Sequence, residues 1–205
     1  MAENMENMET IQKIQKTGIG IVGLPGAGKS VISEVAHQLN IPTIVMGDVV
    51  RNLCTERGLA INSENLGELM TSIRKEEGMN AVAKRTVPRI VKLEGNVVII
   101  DGLRSYEELE FFRARFAKFI IMAVHAAPHI RYERIRRRKR SDDPQNFREF
   151  QERDHREISA GIAKILALAE IMLINEGNLN QLKHRLTQIL HLIKEGKWRQ
   201  PSYKF

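Results

Sequence analysis

Eight consecutive residues, Gly23-Leu24-Pro25-Gly26-Ala27-Gly28-Lys29-Ser30, follow the spacing G-x-x-x-x-G-K-[ST]. Each residue type has a chemical reason to be there. Glycines let successive backbone N–H groups converge on phosphate oxygens with no Cβ in the way. The Lys29 ammonium would reach the outer phosphates of a nucleoside triphosphate, and the Ser30 hydroxyl would bind Mg2+. The run lies between an apolar stretch, Ile19-Gly20-Ile21-Val22, and a helical pattern formed by Val31, Ile32, Val35, Ala36 and Leu39. That context turns the start of a helix, with its positive dipole end, toward the same anion. Asp101 closes a second apolar run, Val97–Ile100. In a parallel sheet such a strand end faces the ligand, so Asp101 is the expected carboxylate for the metal.

The elements that must hold these residues repeat a simple pattern. Apolar, strand-like runs occur at 19–22, 43–46, 97–100, 119–124 and 171–174, separated by helical segments that include 146–168 and the stretch carrying Leu182, Leu186, Ile189, Leu190 and Ile193. Short, continuously apolar strands signal a parallel sheet covered on both faces. The expected fold is a three-layer α/β domain with a five-stranded parallel sheet flanked by helices. Residues 1–16 read as a polar extension and 17–205 as one domain. Helical insertions over the sheet are expected at about 52–92 and 129–165.

A phosphate loop does not by itself separate kinases from GTPases, motors or transporters. The Asn-Lys-x-Asp and D-x-x-G elements of the GTPase route do not occur. Other segments resemble the P-loop nucleotide kinases. Met46-Gly47-Asp48-Val49-Val50-Arg51 looks like the Gly-Asp-x-x-Arg segment of adenylate kinases. Asp101-Gly102-Leu103-Arg104 resembles their Asp-Gly-x-x-Arg segment, one residue shorter. Arg140-Ser141-Asp142-Asp143 resembles the Arg-x-Asp-Asp of the adenylate-kinase lid, with Arg153 following near the next lid arginine. Asn175-Glu176-Gly177-Asn178-Leu179 looks like a turn found in dephospho-coenzyme A kinases. Over most of residues 18–195 the chain is most similar to an archaeal family of uncharacterised, adenylate-kinase-related predicted kinases.

The resemblance implies ATP and Mg2+ as cofactors and an acceptor-side flap and lid formed by the two insertions. Arg51 and Arg104 would hold the acceptor's phosphate. Arg134, Arg138, Arg140 and Arg153 would close over the transferring group. Asp48 is a candidate base or metal-associated carboxylate beside the acceptor; capping the following helix is the alternative. The implied activity is phosphoryl transfer from ATP to a small phosphate-bearing acceptor, of the nucleoside-monophosphate-kinase or dephospho-coenzyme A-kinase type. The alternative is an ATP-binding regulator acting on RNA or on a protein partner.

Composition narrows the partners. With 32 Lys plus Arg and 25 Asp plus Glu, the 205-residue chain carries a net charge of +7. A hydrophobic share of 42% beside 28% charged residues excludes wholesale disorder. Residues 131–140 hold seven basic residues and one acid, leaving +1 for all the rest. The excess is one patch where a lid belongs, which favours a phosphate-bearing small ligand over nucleic acid; a solvated helix face is the plain alternative. No apolar run reaches the length of a membrane span, and the N-terminus has no secretory pattern. A single cysteine, Cys54, points to a reducing compartment and a buried thiol. The expected location is the cytoplasm. The histidines show no ligand spacing, and oligomeric state is left open.

Overall fold

The computed structural model describes residues 13–138 and 143–199. Five strands, β1 (Ile14–Val22), β2 (Thr43–Val45), β3 (Val97–Asp101), β4 (Phe116–His125) and β5 (Ile171–Ile174), form one sheet in the order β2-β3-β1-β4-β5. All four pairings are parallel, with Ile21 beside Asp101 on one side and Met122 on the other. The helices are α1 (Ser30–Gln38), α2 (Met46–Glu56), α3 (Ser63–Glu77), α4 (Ala81–Val91), α5 (Tyr106–Arg115), α6 (Pro128–Arg138), α7 (Phe147–Ser159), α8 (Ile162–Ala167) and α9 (Leu179–Lys194).

Alternate strand residues feed separate cores, as the strand period of two requires. Ile19, Ile21, Ile99, Ile120, Met122 and Leu173 pack with Ile32 and Val35 of α1 and Leu186, Leu190 and Ile193 of α9. Val98, Ile100, Ile121 and Ala123 face the other way, toward α2, α4, α5 and α8. The result is the expected three-layer α/β architecture. No helix among the described residues is long and apolar enough to cross a membrane.

Several boundaries differ from the sequence expectation. β1 begins at Ile14, inside the stretch read as a polar extension. Its polar start is tied down by Lys16, whose Nζ donates to Gly95 O at 2.9 Å. Met46 does not end β2; it opens α2, where it is buried as part of the core. The expected single helix over 146–168 is broken into α7 and α8 at Gly161, which has φ +106°. Phe147 and Ile158, which share a helical spacing with Phe150, Ile162 and Ile165, are exposed. Cys54 is buried, its Sγ 3.5 Å from Ala60 O. Trp198 packs against the α1–α9 core, with Lys118 Nζ 5.2 Å from its ring centre.

Candidate active site

The loop from Gly23 to Ser30 leaves the end of β1 and enters α1 directly, so the phosphate-binding backbone is anchored to the centre of the sheet. Its glycines answer to local geometry. A Cβ on Gly23 would come within 2.7 Å of Val124 O, and one on Gly26 within 2.6 Å of Arg131 O. Gly28 has φ +96°, and a Cβ there would overlap the Asn175 side-chain amide. Gly28→Ala is therefore expected to cost about 1–3 kcal/mol of stability and to weaken ATP binding. Thermal unfolding together with an ATP titration checks both effects.

Lys29 Nζ donates to Gly23 O at 2.6 Å. Burial holds its ammonium below the ordinary lysine range, while the Asp101 carboxylate acts to raise it. Asp101, at the end of β3, is pushed the opposite way, above the usual carboxylate range, mainly by burial. Lys29 pulls it back down, and Asp48 pushes it up. Asp101 Oδ1 is buried with no hydrogen-bond partner. An orphaned carboxylate oxygen in the same cleft as the Ser30 hydroxyl is a hard-oxygen donor set that fits Mg2+.

One cleft of about 600 Å³ unites these groups. It is lined by Gly23, Pro25, Gly26, Gly28, Lys29 and Ser30 of the loop, by Asp101 and Arg104 of the β3 end, by Arg134 and Arg138 of α6, and by Arg153 and Glu157 of α7. Leu24 and Ala27, also assigned to the phosphate loop, do not line the cleft. Leu24 packs on one core and Ala27 is buried in the other.

Arg104 follows Gly102, whose φ of +104° turns the chain out of β3. Glu108 then fixes the Arg104 backbone: its carboxylate accepts from Arg104 N at 2.8 Å and Ser105 N at 3.2 Å, while Ser105 Oγ accepts from Glu108 N. This is a capping box on α5. Ser105-Tyr106-Glu107-Glu108 carries its sequence signature, a signal not used in the sequence reading. Arg51 and Asp48 lie outside the cleft lining and bond to each other within the first turns of α2. The capping alternative for Asp48 is corrected, since Val45 occupies that position and no side chain caps α2.

The arginines of α6 and α7 differ in their contacts. Arg138 Nε donates to Asp143 Oδ2 at 2.9 Å, and Arg153 Nη1 lies 3.8 Å from Asp143 Oδ1. Arg134 borders the cleft but is held at the back of the loop, donating to Ala27 O at 3.3 Å and Asn175 O at 2.7 Å. Asn175 Nδ2 donates to Ala27 O at 2.8 Å, so the β5–α9 turn also supports the loop. Arg131, the first arginine of the basic run, does not face solvent. Its guanidinium makes a two-pronged bond to Asp154 of α7 and donates to Pro25 O at 3.1 Å. Tyr132, Phe147 and Phe150 pack their rings at 5.2–5.8 Å alongside it, fastening α6 to α7. Arg140 lies outside the described residues. Asp154 and Glu157 were missed by sequence, because their partners are distant along the chain.

Residues 22–151 match the AAA domain family. The UPF0200 protein of Hyperthermus butylicus is 41% identical over 170 residues, covering 83% of this chain and 91% of that protein. The UPF0200 protein of Thermococcus onnurineus is 39% identical over 177 residues, covering 84% and 96%. Among solved structures, TT1252 from Thermus thermophilus aligns with a TM-score of 0.63 at 17% identity, covering 87% of this chain and 98% of that one. Shikimate kinase from Bacteroides thetaiotaomicron aligns at 0.58 and 18% identity, covering 86% and 99%. A gluconokinase from Sinorhizobium meliloti aligns at 0.52 and 14%, covering 93% and 100%. At these identities the structural likeness shows the fold alone, which this chain shares with the shikimate kinase and the gluconokinase.

Proposed function

We propose that this chain, which belongs to the UPF0200 family and carries an AAA domain, transfers the γ-phosphoryl group of ATP to a small, phosphate-bearing acceptor. The observation that carries this reading is the single cleft in which the phosphate loop, the orphaned Asp101 oxygen, Arg104 and the lid arginines converge. Phosphoryl transfer asks a protein for in-line positioning, neutralisation of spread-out negative charge and exclusion of water, more than for covalent chemistry.

The loop N–H groups and Lys29 would hold the donor's phosphates. Ser30 and Asp101 would hold Mg2+, which when bound neutralises charge on those phosphates. Arg138 and Arg153 would close from the lid, and Arg134 would keep the loop in its binding shape. Arg104, with Arg51 and Asp48 of α2, would receive the acceptor. The bond from the γ-phosphorus to its bridging oxygen breaks as a bond to an acceptor oxygen forms, releasing ADP.

The test is acceptor-stimulated ADP release with Mg2+ present, across AMP and dephospho-coenzyme A, with shikimate and gluconate as acceptors that carry no phosphate and should not stimulate it. ADP should appear in step with one phosphorylated product and only slowly without an acceptor. Asp101→Asn is expected to lower that rate by about 100-fold or more. The pH dependence follows from the direction of the Asp101 shift. Metal binding needs the carboxylate charged, and burial raises its titration above the ordinary range. The acid limb of kcat/KM should thus lie above that of an exposed aspartate, and rate–pH profiles of the two forms check it.

A further inference from the structure

Arg104 has a counter-charge from a distant part of the chain within the cleft wall. Arg104 Nη1 lies 3.2 Å from Glu157 Oε1, joining the β3–α5 turn to lid helix α7 across 53 residues of sequence. Both side chains line the cleft, but they differ in exposure: Arg104 is 56% exposed and Glu157 only 13%. The acid is the seated partner and the guanidinium the one with room to turn. An ion pair this exposed contributes little to folding. Glue is therefore a poor reason for a carboxylate in a wall that also holds Lys29, Arg134, Arg138 and Arg153. The Arg51–Asp48 pair differs in kind, because both residues belong to α2 and parting them moves no element.

We propose that Glu157 is an internal stand-in for the acceptor's anionic group: it holds Arg104 until that anion arrives, then gives it up. The inference rests on the acceptor role of Arg104 in the proposed function. Acceptor binding and the breaking of the ion pair between α7 and the β3–α5 turn are then one event. An internal competitor lowers the apparent affinity by the fraction of molecules in which it is engaged. Glu157 is a positioning residue in this scheme; it acts through Arg104.

Inorganic phosphate, titrated by calorimetry into protein saturated with Mg-ADP, tests the handover. Glu157→Gln keeps the shape and removes the charge, and should bind phosphate about two- to five-fold more tightly, the range an exposed pair can withhold. Arg104→Gln should bind it more weakly, and adding Glu157→Gln to Arg104→Gln should bring no gain. A structural role for Glu157 predicts the reverse, a loss in the single variant. Unchanged, weaker or undetectable phosphate binding by Glu157→Gln overturns the proposal. So does a gain that persists without Arg104, which would be a general charge effect. The two ideas fail separately: the calorimetric pattern without transfer from ATP sinks only the phosphotransferase reading, and transfer without the pattern sinks only the handover.

Discussion

Replacing Lys29 with alanine is expected to slow phosphoryl transfer by about 10²- to 10³-fold while the fold persists, the loss typical when one preorganised donor to a developing charge is removed. Lys29 is set up for this role. An ammonium has three donors, and Gly23 O takes one of them at 2.6 Å. The group is half-buried, and that burial works against its charge. A charge partly withdrawn from water interacts with a ligand more strongly than an exposed lysine would. Removing it also takes away the neighbour that draws the Asp101 carboxyl back toward its ordinary range. Relief at one residue then offsets penalty at the other, so the unfolding midpoint near neutral pH should move little. The alkaline side gives a signed check. With the folded value below the unfolded one, the unfolded chain binds the proton more tightly across the window between them. Stability contributed by Lys29 therefore rises as pH climbs through that window. Chemical denaturation at a series of alkaline pH values should show the rise in the native chain and its loss in Lys29→Ala.

Asp154→Ala is expected to produce the largest loss of stability, about 3–5 kcal/mol, because it leaves a buried guanidinium without its counter-charge. The Arg131 side chain is 3% exposed, and its cation also sits 5.0 Å from the centre of the Phe150 ring. In a chain of this size the loss corresponds to a fall in Tm of about 10 °C or more. The effect should reach the nucleotide, since Arg131 also donates to Pro25 O in the phosphate loop. Replacing both partners with apolar residues, Arg131→Met with Asp154→Leu, should restore much of the stability. It should not restore ATP affinity, because the support to Pro25 is gone. Tm and ATP affinity measured on the single and double variants separate the two consequences; equal recovery of both would contradict the link between lid and loop.

What the sequence made legible follows from how local each feature is. The phosphate loop is a contiguous run in which chemistry dictates residue type at fixed spacing, so Gly23 to Ser30 could be read directly. Parallel strands covered on both faces are apolar along their length, which made the strand centres visible. Their ends were harder. Lys16 and Lys118 lie in strands but look polar, and Met46 looks like strand but is buried at the start of a helix. The break at Gly161 was hidden because apolar residues continue at helical spacing on both sides of it. The contacts of α6 and α7 had no local signature. Asp154 meets Arg131 from 23 residues away and Glu157 meets Arg104 from 53. In the basic run, composition gave the charge but not the division of labour. Arg131 is internal, Arg134 props the loop, and Arg138 meets Asp143.

The most direct measurement follows the label from γ-labelled ATP in the presence of Mg2+ and the acceptors named above, with Lys29→Ala as the control. The account predicts label on one phosphate-bearing acceptor, ADP in equal amount, and loss of both in the control. Label released only as inorganic phosphate, or transfer undiminished in Lys29→Ala, would contradict it.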